Sequence, residues 1–395
     1  MVQQPGCQSH KQERGFPMGK YTTYVGMDVH ARSIDAQAMN IETGEHFRKT
    51  FTGCPSAADV AEWLGTLPQP VYSAYESGCT GFWMARELTV LGFACDVIAV
   101  STLPKSTKDK QHKCDKLDAK AILREVANPA SDYTTVWIPD EKTEAERDLV
   151  RAYRAAVDAA KHAKQRLLAF LQRHGRVWCE KTKAGRAKKA WTREFDAWLN
   201  NIAFQEISAE KTFEAYRRQV RDACREVKEL KALVRELAGS SEHKPYIDAL
   251  TLLKGIEVEN AMLARVEFGL FSRFDTGRKT SCWLGTIPSN GPSGPVASHG
   301  HITKAGNKHL RRALIEGYSG IAAWKSGRKA VPEGIGVSGA VQAIAAKANA
   351  RLYERYTHLR TCGANANKAK VAVVNELVRW IWVIGCAIEK EQANA

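Results

Sequence analysis

Apolar and polar positions change their period along this chain of 395 residues, and the changes divide it. Residues 21–51 read as strands. Tyr24-Val25-Gly26-Met27-Asp28 is an apolar run that ends on a carboxylate, residues 34–41 alternate, Glu42-Thr43-Gly44-Glu45 turns, and residues 46–51 return. This predicts three antiparallel strands. Ser56 is the expected cap of a helix reaching about Leu67, with Ala57, Val60, Ala61 and Leu64 facing inward. A strand over 70–76, a helix over 81–91 and a strand over 94–100 follow. Strand-strand-strand-helix-strand-helix-strand predicts an α/β mixed sheet of RNase H type.

The period then becomes helical. Residues 143–174 place Leu149, Tyr153, Val157, Ala160, Leu167 and Leu171 at helical spacing. Phe213, Tyr216, Val220, Ala223, Val227, Leu230, Val234 and Leu237 advance by alternating threes and fours, which predicts a coiled-coil hairpin or a dimer seam. Gly239-Ser240-Ser241 breaks the pattern. A helix pair around residues 252–256, a Gly/Pro/Ser-rich loop over 285–300 and further helices complete the chain. The expected organisation is a disordered leader over 1–20, an α/β domain over 21–142, a coiled-coil helical segment over 143–240 and a mainly α-helical domain over 241–395. The most apolar stretch, 371–388, contains Asn375, Glu376 and Arg379, so it reads as a buried helix and not as a membrane span.

Charge adds a partner to this outline. The net charge of +15 and pI near 9.3 favour a polyanion, because Lys and Arg that neutralise phosphates release condensed counterions. Residues 151–236 carry 21 basic and 11 acidic side chains, an excess of ten. Five of the basic ones, Lys181, Lys183, Arg186, Lys188 and Lys189, crowd a loop between Trp178 and Trp191. The ten cysteines form no CxxC pair and no zinc spacing, and residues 1–20 hold no apolar signal segment. Reduced thiols in a cytoplasmic protein are the expectation.

Candidate chemistry comes from two constellations. Asp28 ends one predicted strand and Glu76 another, while Asp115 and Asp118 share one face at the start of a helix. Each acid alone reads as a cap or a surface residue. A helix packed across neighbouring strand ends would gather all four carboxylates, which require cations between them, and two Mg²⁺ (or Mn²⁺) would clamp the oxygens of a phosphodiester. Lys105, Lys108, Lys110, Lys113, Lys116 and Lys120 surround the last pair and would hold a DNA backbone. The second constellation runs from Ser289-Asn290-Gly291-Pro292-Ser293-Gly294-Pro295 to His301-Ile302-Thr303-Lys304-Ala305-Gly306-Asn307-Lys308-His309-Leu310-Arg311-Arg312. A serine there is ordinarily a turn residue. It could also present a hydroxyl nucleophile to a phosphate, with Lys304, Asn307, Lys308, Arg311 and Arg312 as nucleic-acid contacts.

Together these motifs resemble the bridge-RNA-guided insertion-sequence transposases of the IS110 family. Gly26-Met27-Asp28-Val29-His30, Tyr75-Glu76-Ser77-Gly78 and Asp115-Lys116-Leu117-Asp118-Ala119 match the family's D…E…D-x-x-D set. Ser293-Gly294 and Ile302-Thr303-Lys304-Ala305-Gly306-Asn307 match its C-terminal serine motif, and residues 368–382 resemble its closing helix. The resemblance implies a RuvC-like fold for the α/β domain, a Mg²⁺ site at Asp28, Glu76, Asp115 and Asp118, and Ser293 as nucleophile. It further implies donor and target DNA, a structured noncoding bridge RNA, and a homodimer or homotetramer. Two positions depart from the family. Its paired loop serines read Pro292-Ser293, which leaves Ser289 as the alternative nucleophile, and its Gly-Ile-Gly turn reads Gly255-Ile256-Glu257. Glu257 would repel phosphate, so a structural junction is expected there. Two rival readings are a resolvase-like nuclease using water and a non-catalytic nucleic-acid-binding protein.

Overall fold

A computed structural model describes residues 20–100, 115–289, 301–323, 329, 331–332 and 335–394. The leader expected over 1–20 lies outside the described residues apart from Lys20, as do Lys105, Lys108, Lys110, Lys113 and Ser293. The chain divides into two compact units, Met1–Glu141 and Lys142–Ala395.

The first unit is a mixed α/β sheet. Strands β1 (Thr23–Val29), β2 (Ser33–Asn40) and β3 (His46–Thr52) form an antiparallel meander. Helix α1 (Ala57–Thr66) returns the chain to β4 (Val71–Glu76), and α2 (Trp83–Val90) leads to β5 (Ala94–Ile98). β4 pairs parallel to β1, and β5 parallel to β4, giving the order β3-β2-β1-β4-β5. Each boundary lies within a few residues of the expected one. The order is consistent with the RNase H-type arrangement.

Alternation along the strands sorts the two faces. Val25, Met27, Ile34, Ala36, Val71, Tyr75 and Val97 pack under α1 and α2. Tyr24, Tyr72, Ala74 and Ile98 take the opposite face, beneath α3 (Asp115–Val126) through Ile122, Leu123 and Val126. Ser56 caps α1 in a reciprocal box, accepting from the Asp59 amide at 3.2 Å while Asp59 Oδ2 accepts from the Ser56 amide at 2.7 Å. Ser56→Ala should lower stability by about 1 kcal/mol in urea denaturation followed by circular dichroism. No loss would mean that packing alone positions this helix.

The second unit is helical. Helices α4 (Glu141–Arg173) and α6 (Ile207–Ala238) run out and back. Near the base Val150 and Tyr153 share a core with Val234 and Ala238; near the tip Leu167, Phe170 and Leu171 meet Phe213 and Val220. The expected apolar seam is therefore covered within one chain at its ends, with Tyr216, Val227 and Leu230 half-buried between them. Between the long helices lies α5 (Arg193–Asn200), a short helix that the periodicity did not single out. Thr192 caps it, and its Phe195 and Leu199 close the hairpin tip.

Beyond Gly239, α7 (Lys244–Leu250), α8 (Val258–Phe268), α9 (Gly277–Leu284), α10 (Lys308–Ala323), α11 (Gly339–Thr361) and α12 (Ala366–Ala393) share the core of the hairpin base. Helix α12 is long and apolar enough to cross a membrane by composition. It instead buries Val373, Val374, Leu377, Val378, Ile381 and Ile384 in that core, as expected of residues 371–388. Its Gly385 lies against the Phe271 ring, and its Glu389 accepts from the Phe271 and Ser272 amides at 2.6 and 2.8 Å.

Candidate active site

Asp28 and Glu76 meet at one end of the sheet. Met27 pairs with Tyr75 across the parallel β1–β4 ladder, so Asp28 and Glu76 stand one step further, on strands about 4.8 Å apart. Tyr24, Gly26 and Asp28 share the α3 face of β1, and Tyr72, Ala74 and Glu76 share it on β4. Asp28 is 5% exposed and Glu76 is half-buried.

Helix α3 reaches this end because β1 carries a glycine. A Cβ at Gly26 would collide with Ala119 and Leu123 of the α3 backbone, so the helix lies directly on the strand. Ala119 and Leu123 both lie over Gly26, two residues before Asp28, while Ile122, Leu123 and Val126 share a buried cluster with Tyr24, Tyr72 and Ile98. Asp118 in the first turn of α3 and Lys120 just beyond it are exposed, while the side chains of Asp115 and Lys116 lie outside the described residues.

A further acid belongs to this cluster and was not singled out from sequence. Asp35 is the cross-strand partner of Asp28 in the antiparallel β1–β2 register and therefore shares its face. Opposed like charges destabilise a sheet unless something balances them. Thr50 donates to Asp35 Oδ1 at 2.6 Å, Arg48 lies 3.5 Å from the same oxygen, and His30 Nε2 lies 3.1 Å from Asp28 Oδ2. The signal for Asp35 is the strict alternation of β2, which becomes informative once the hairpin register is known. Clustered hard oxygen donors of this kind suit Mg²⁺ or Mn²⁺.

The serine motif sits in the second unit, on a stem that is described although its tip is not. Residues 285–289 and 301–304 pair through Ser289 N to His301 O (2.8 Å), Thr303 N to Ile287 O (2.9 Å) and Lys304 N to Gly285 O (3.1 Å). Ser289 Oγ also donates to His301 O at 2.8 Å. Gly285 and Gly306 have φ of +68° and +78°, and a Cβ on either would strike the opposite backbone. Arg311 clamps the stem by donating to Leu284 O (2.8 Å) and Ala305 O (3.2 Å).

Asn307 joins stem to helix. Its Oδ1 accepts from the Leu310 amide at 2.9 Å, and its Nδ2 donates to Glu267 at 2.6 Å. Glu267 is 3% exposed and takes a two-pronged contact from Arg151 at 2.8 and 2.9 Å, with Arg147 at 3.8 Å. Arg273, stacked on Phe274, lies in the same field. Burial and then the Arg147 charge push its guanidinium down to about 9, against the pull of Glu267, so it stays cationic at neutral pH. Burial likewise lowers His309.

The expected nucleic-acid contacts differ in what else they do. Lys181, Lys183, Arg186 and Lys189 are exposed on a small hairpin closed by Lys188 N to Glu180 O and Thr182 N to Arg186 O, both 2.8 Å. Lys188 pairs with Glu194 at 2.9 Å. Lys304 and Lys308 are exposed, whereas Arg312 forks onto Asp158 at 2.5 Å and meets Glu316 at 2.8 Å. At the Gly255-Ile256-Glu257 turn the backbone is engaged internally. Asn349 accepts from the Lys254 amide at 2.8 Å, Lys329 donates to Thr251 O at 2.7 Å, and a Cβ on Gly317 would strike Gly255 O.

Among the described residues, Glu146, Glu242 and His243 also bring ligand atoms within 4.8 Å of one another. Lys142 bonds Glu242, and that bond is the main reason its carboxyl is held below the usual range. Lys142 also lies 4.0 Å from Glu146, and Arg265 lies 3.9 Å from Glu242. The chain's own cations balance these acids, so the cluster ties α4 to the start of α7.

Comparison with known proteins decides the lineage. The model of the transposase IS116/IS110/IS902 family matches residues 248–330, and the DEDD transposase model of IS110 matches residues 25–175. A putative transposase, y4qE, of Sinorhizobium fredii is 30% identical over 372 residues, spanning 91% of this chain and 88% of the relative. The chain belongs to the IS116/IS110/IS902 transposase family. The transposase for insertion sequence element IS1533 of Leptospira borgpetersenii is 26% identical over 86% of this chain and 97% of its own length. A probable family 20 transposase of Pseudomonas aeruginosa is 24% identical over 83% and 87%. In this transposase the two matched segments coincide with the two constellations: the first spans Asp28, Glu76 and α3, the second the loop and stem around Ser293 and Asn307.

Proposed function

We propose that this transposase cuts and rejoins DNA with Asp28, Glu76, Asp115 and Asp118 as a Mg²⁺-binding set and Ser293 as nucleophile. The observation that carries the reading is the placement of Asp28 and Glu76 side by side on neighbouring strands, with α3, which bears Asp115 and Asp118, lying directly on β1 at Gly26. Held by these carboxylates, Mg²⁺ would supply Lewis-acid chemistry to a phosphodiester oxygen. Attack by the Ser293 hydroxyl forms an O–P bond and breaks the bond from phosphorus to the 3′ oxygen. The serine proton ends on the released 3′-hydroxyl, which is then free for strand exchange. Ser289 suits this role less, because its hydroxyl donates to the His301 carbonyl within the stem.

The exposed basic hairpin over 181–189 and Lys304 and Lys308 suit contacts to nucleic-acid backbone. Donor and target DNA are the substrates of this reading, with a structured noncoding RNA as guide, a homodimer or homotetramer as the active form, and the cytoplasm as its place.

A trapping assay with radiolabelled DNA tests the proposal, using protein purified with co-expressed RNA. Wild type, Asp115→Ala and Ser293→Ala are compared with and without Mg²⁺. The expected result is a protein–DNA adduct that falls on the order of a thousandfold or more when Mg²⁺, Asp115 or Ser293 is removed. Cleavage without adduct, indifferent to Ser293→Ala, would establish water as the nucleophile. DNA binding with no turnover on any substrate would favour a purely binding protein.

A further inference from the structure

The surface between α11 and α12 carries charge that neither the carboxylate set nor the serine motif uses. A groove of about 360 Å³ is lined there by Arg351, Arg355, Asn375, Glu376, Arg379 and Trp380. Arg351 and Arg355, one turn apart, share a single carboxylate, with Glu376 at 3.1 and 3.3 Å. Arg355 Nε is buried and makes no aligned hydrogen bond despite that proximity. One carboxylate cannot saturate two guanidinium forks of five N–H donors each. Arg379 is held in place by donating to Ser281 Oγ and Asn375 Oδ1, both at 2.9 Å. Three cations therefore face one anion among the named lining residues, beside the half-buried ring of Trp380.

We propose that this groove binds an unpaired DNA strand, its phosphates on Arg351 and Arg355 and a base against Trp380. Guanidinium forks match phosphate oxygens in pairs, which a point charge does not do. An aromatic face adds binding for a base only when that base is out of the duplex stack. An acidic peptide would satisfy the arginines and leave Trp380 unused. The inference rests on the DNA-rejoining reading above, since strand exchange is what exposes unpaired strands.

The test uses the full-length protein and fluorescein-labelled dT20, read by anisotropy over a salt series. Arg351→Gln/Arg355→Gln should weaken binding about tenfold near 0.1 M salt and lower the salt slope by about 1.4, the value for two single-strand phosphates. Glu376→Gln should tighten binding about twofold to threefold, while Glu226→Gln, an exposed change on α6, should not. The single change Arg351→Gln, at a side chain 53% exposed, should give part of the effect and guards against misfolding of the double variant. A 4-thiothymidine strand should crosslink to the segment around Trp380 in wild type.

Unchanged affinity and slope in the folded double variant would overturn the proposal. So would an equal loss for duplex DNA, or a groove-dependent ligand that proves to be U20 RNA and not dT20. Groove-dependent dT20 binding in a protein that forms no serine adduct would sink the serine mechanism and leave this site standing.

Discussion

Replacing Glu267 by Ala should destabilise the helical unit by about 3–5 kcal/mol and abolish strand cleavage. The carboxylate is buried and serves Arg151, Arg147 and Asn307 together. Without it Arg147, 7% exposed, and the half-buried Arg273 keep their charge in a poorly solvated place and lose their shared counter-ion. Removing one member of such a cluster is far costlier than the cluster's net contribution, because an uncompensated charge stays buried. Asn307 loses its anchor at the same time, and with it the start of α10 and the stem beneath residues 290–300 loosen. Glu267→Gln preserves shape and an acceptor for Asn307 but removes the charge. Urea denaturation should therefore rank wild type above Gln and Gln above Ala. A Gln variant as stable as wild type would show that hydrogen bonding, and not charge, organises the cluster.

Gly26→Ala should destabilise the α/β unit by about 3 kcal/mol, and Gly26→Val by more, with loss of Mg²⁺-dependent cleavage in both. A Cβ there meets the α3 backbone at Ala119 and Leu123, and neither side of the contact is a flexible side chain that could swing away. Overpacking costs about 1–3 kcal/mol where side chains can adjust, so a clash between strand and helix backbones belongs at the upper end. Relief would require α3, which bears Asp115 and Asp118, to lift from β1. Gly44 is the comparison: its φ of +72° disfavours a side chain but the space around it is open. Gly44→Ala should cost about 1 kcal/mol and leave cleavage intact. Thermal melts of both variants with cleavage assays separate the cases. An active, stable Gly26→Val protein would mean that α3 does not hold the acids.

These variants probe contacts between residues distant in sequence, and such contacts were the least legible part of the chain. Asp28 and Glu76 were singled out because each closes an apolar strand, and the β1–β4 register sets them on neighbouring strands. Asp35 was not, because an acid in an alternating strand is ordinary until the register sets it opposite Asp28. Glu267 lies in α8, whose apolar residues run all round the helix, so no polar face drew attention to it. Arg311 and Arg312 looked like DNA contacts by composition. The fold adds that Arg311 clamps the serine stem and that Arg312 pairs with Asp158 and Glu316.

Local pattern by itself determined the strands of the meander, the Ser56 cap, the long amphipathic helices and the buried nature of residues 371–388. Each depends on a period of two or 3.6 residues, or on a cap a few positions away, which the chain states within a short window. Short α5 escaped because eight residues give little more than two turns of period. Tertiary structure alone decided that Asp28, Glu76 and Asp35 share a face, that Gly26 admits α3 onto the strand, and that Glu267 gathers two arginines and Asn307 at the end of the stem. It also decided which basic side chains stay exposed. Those facts depend on register and on packing between distant segments, where a shift of one residue moves a side chain to the other face.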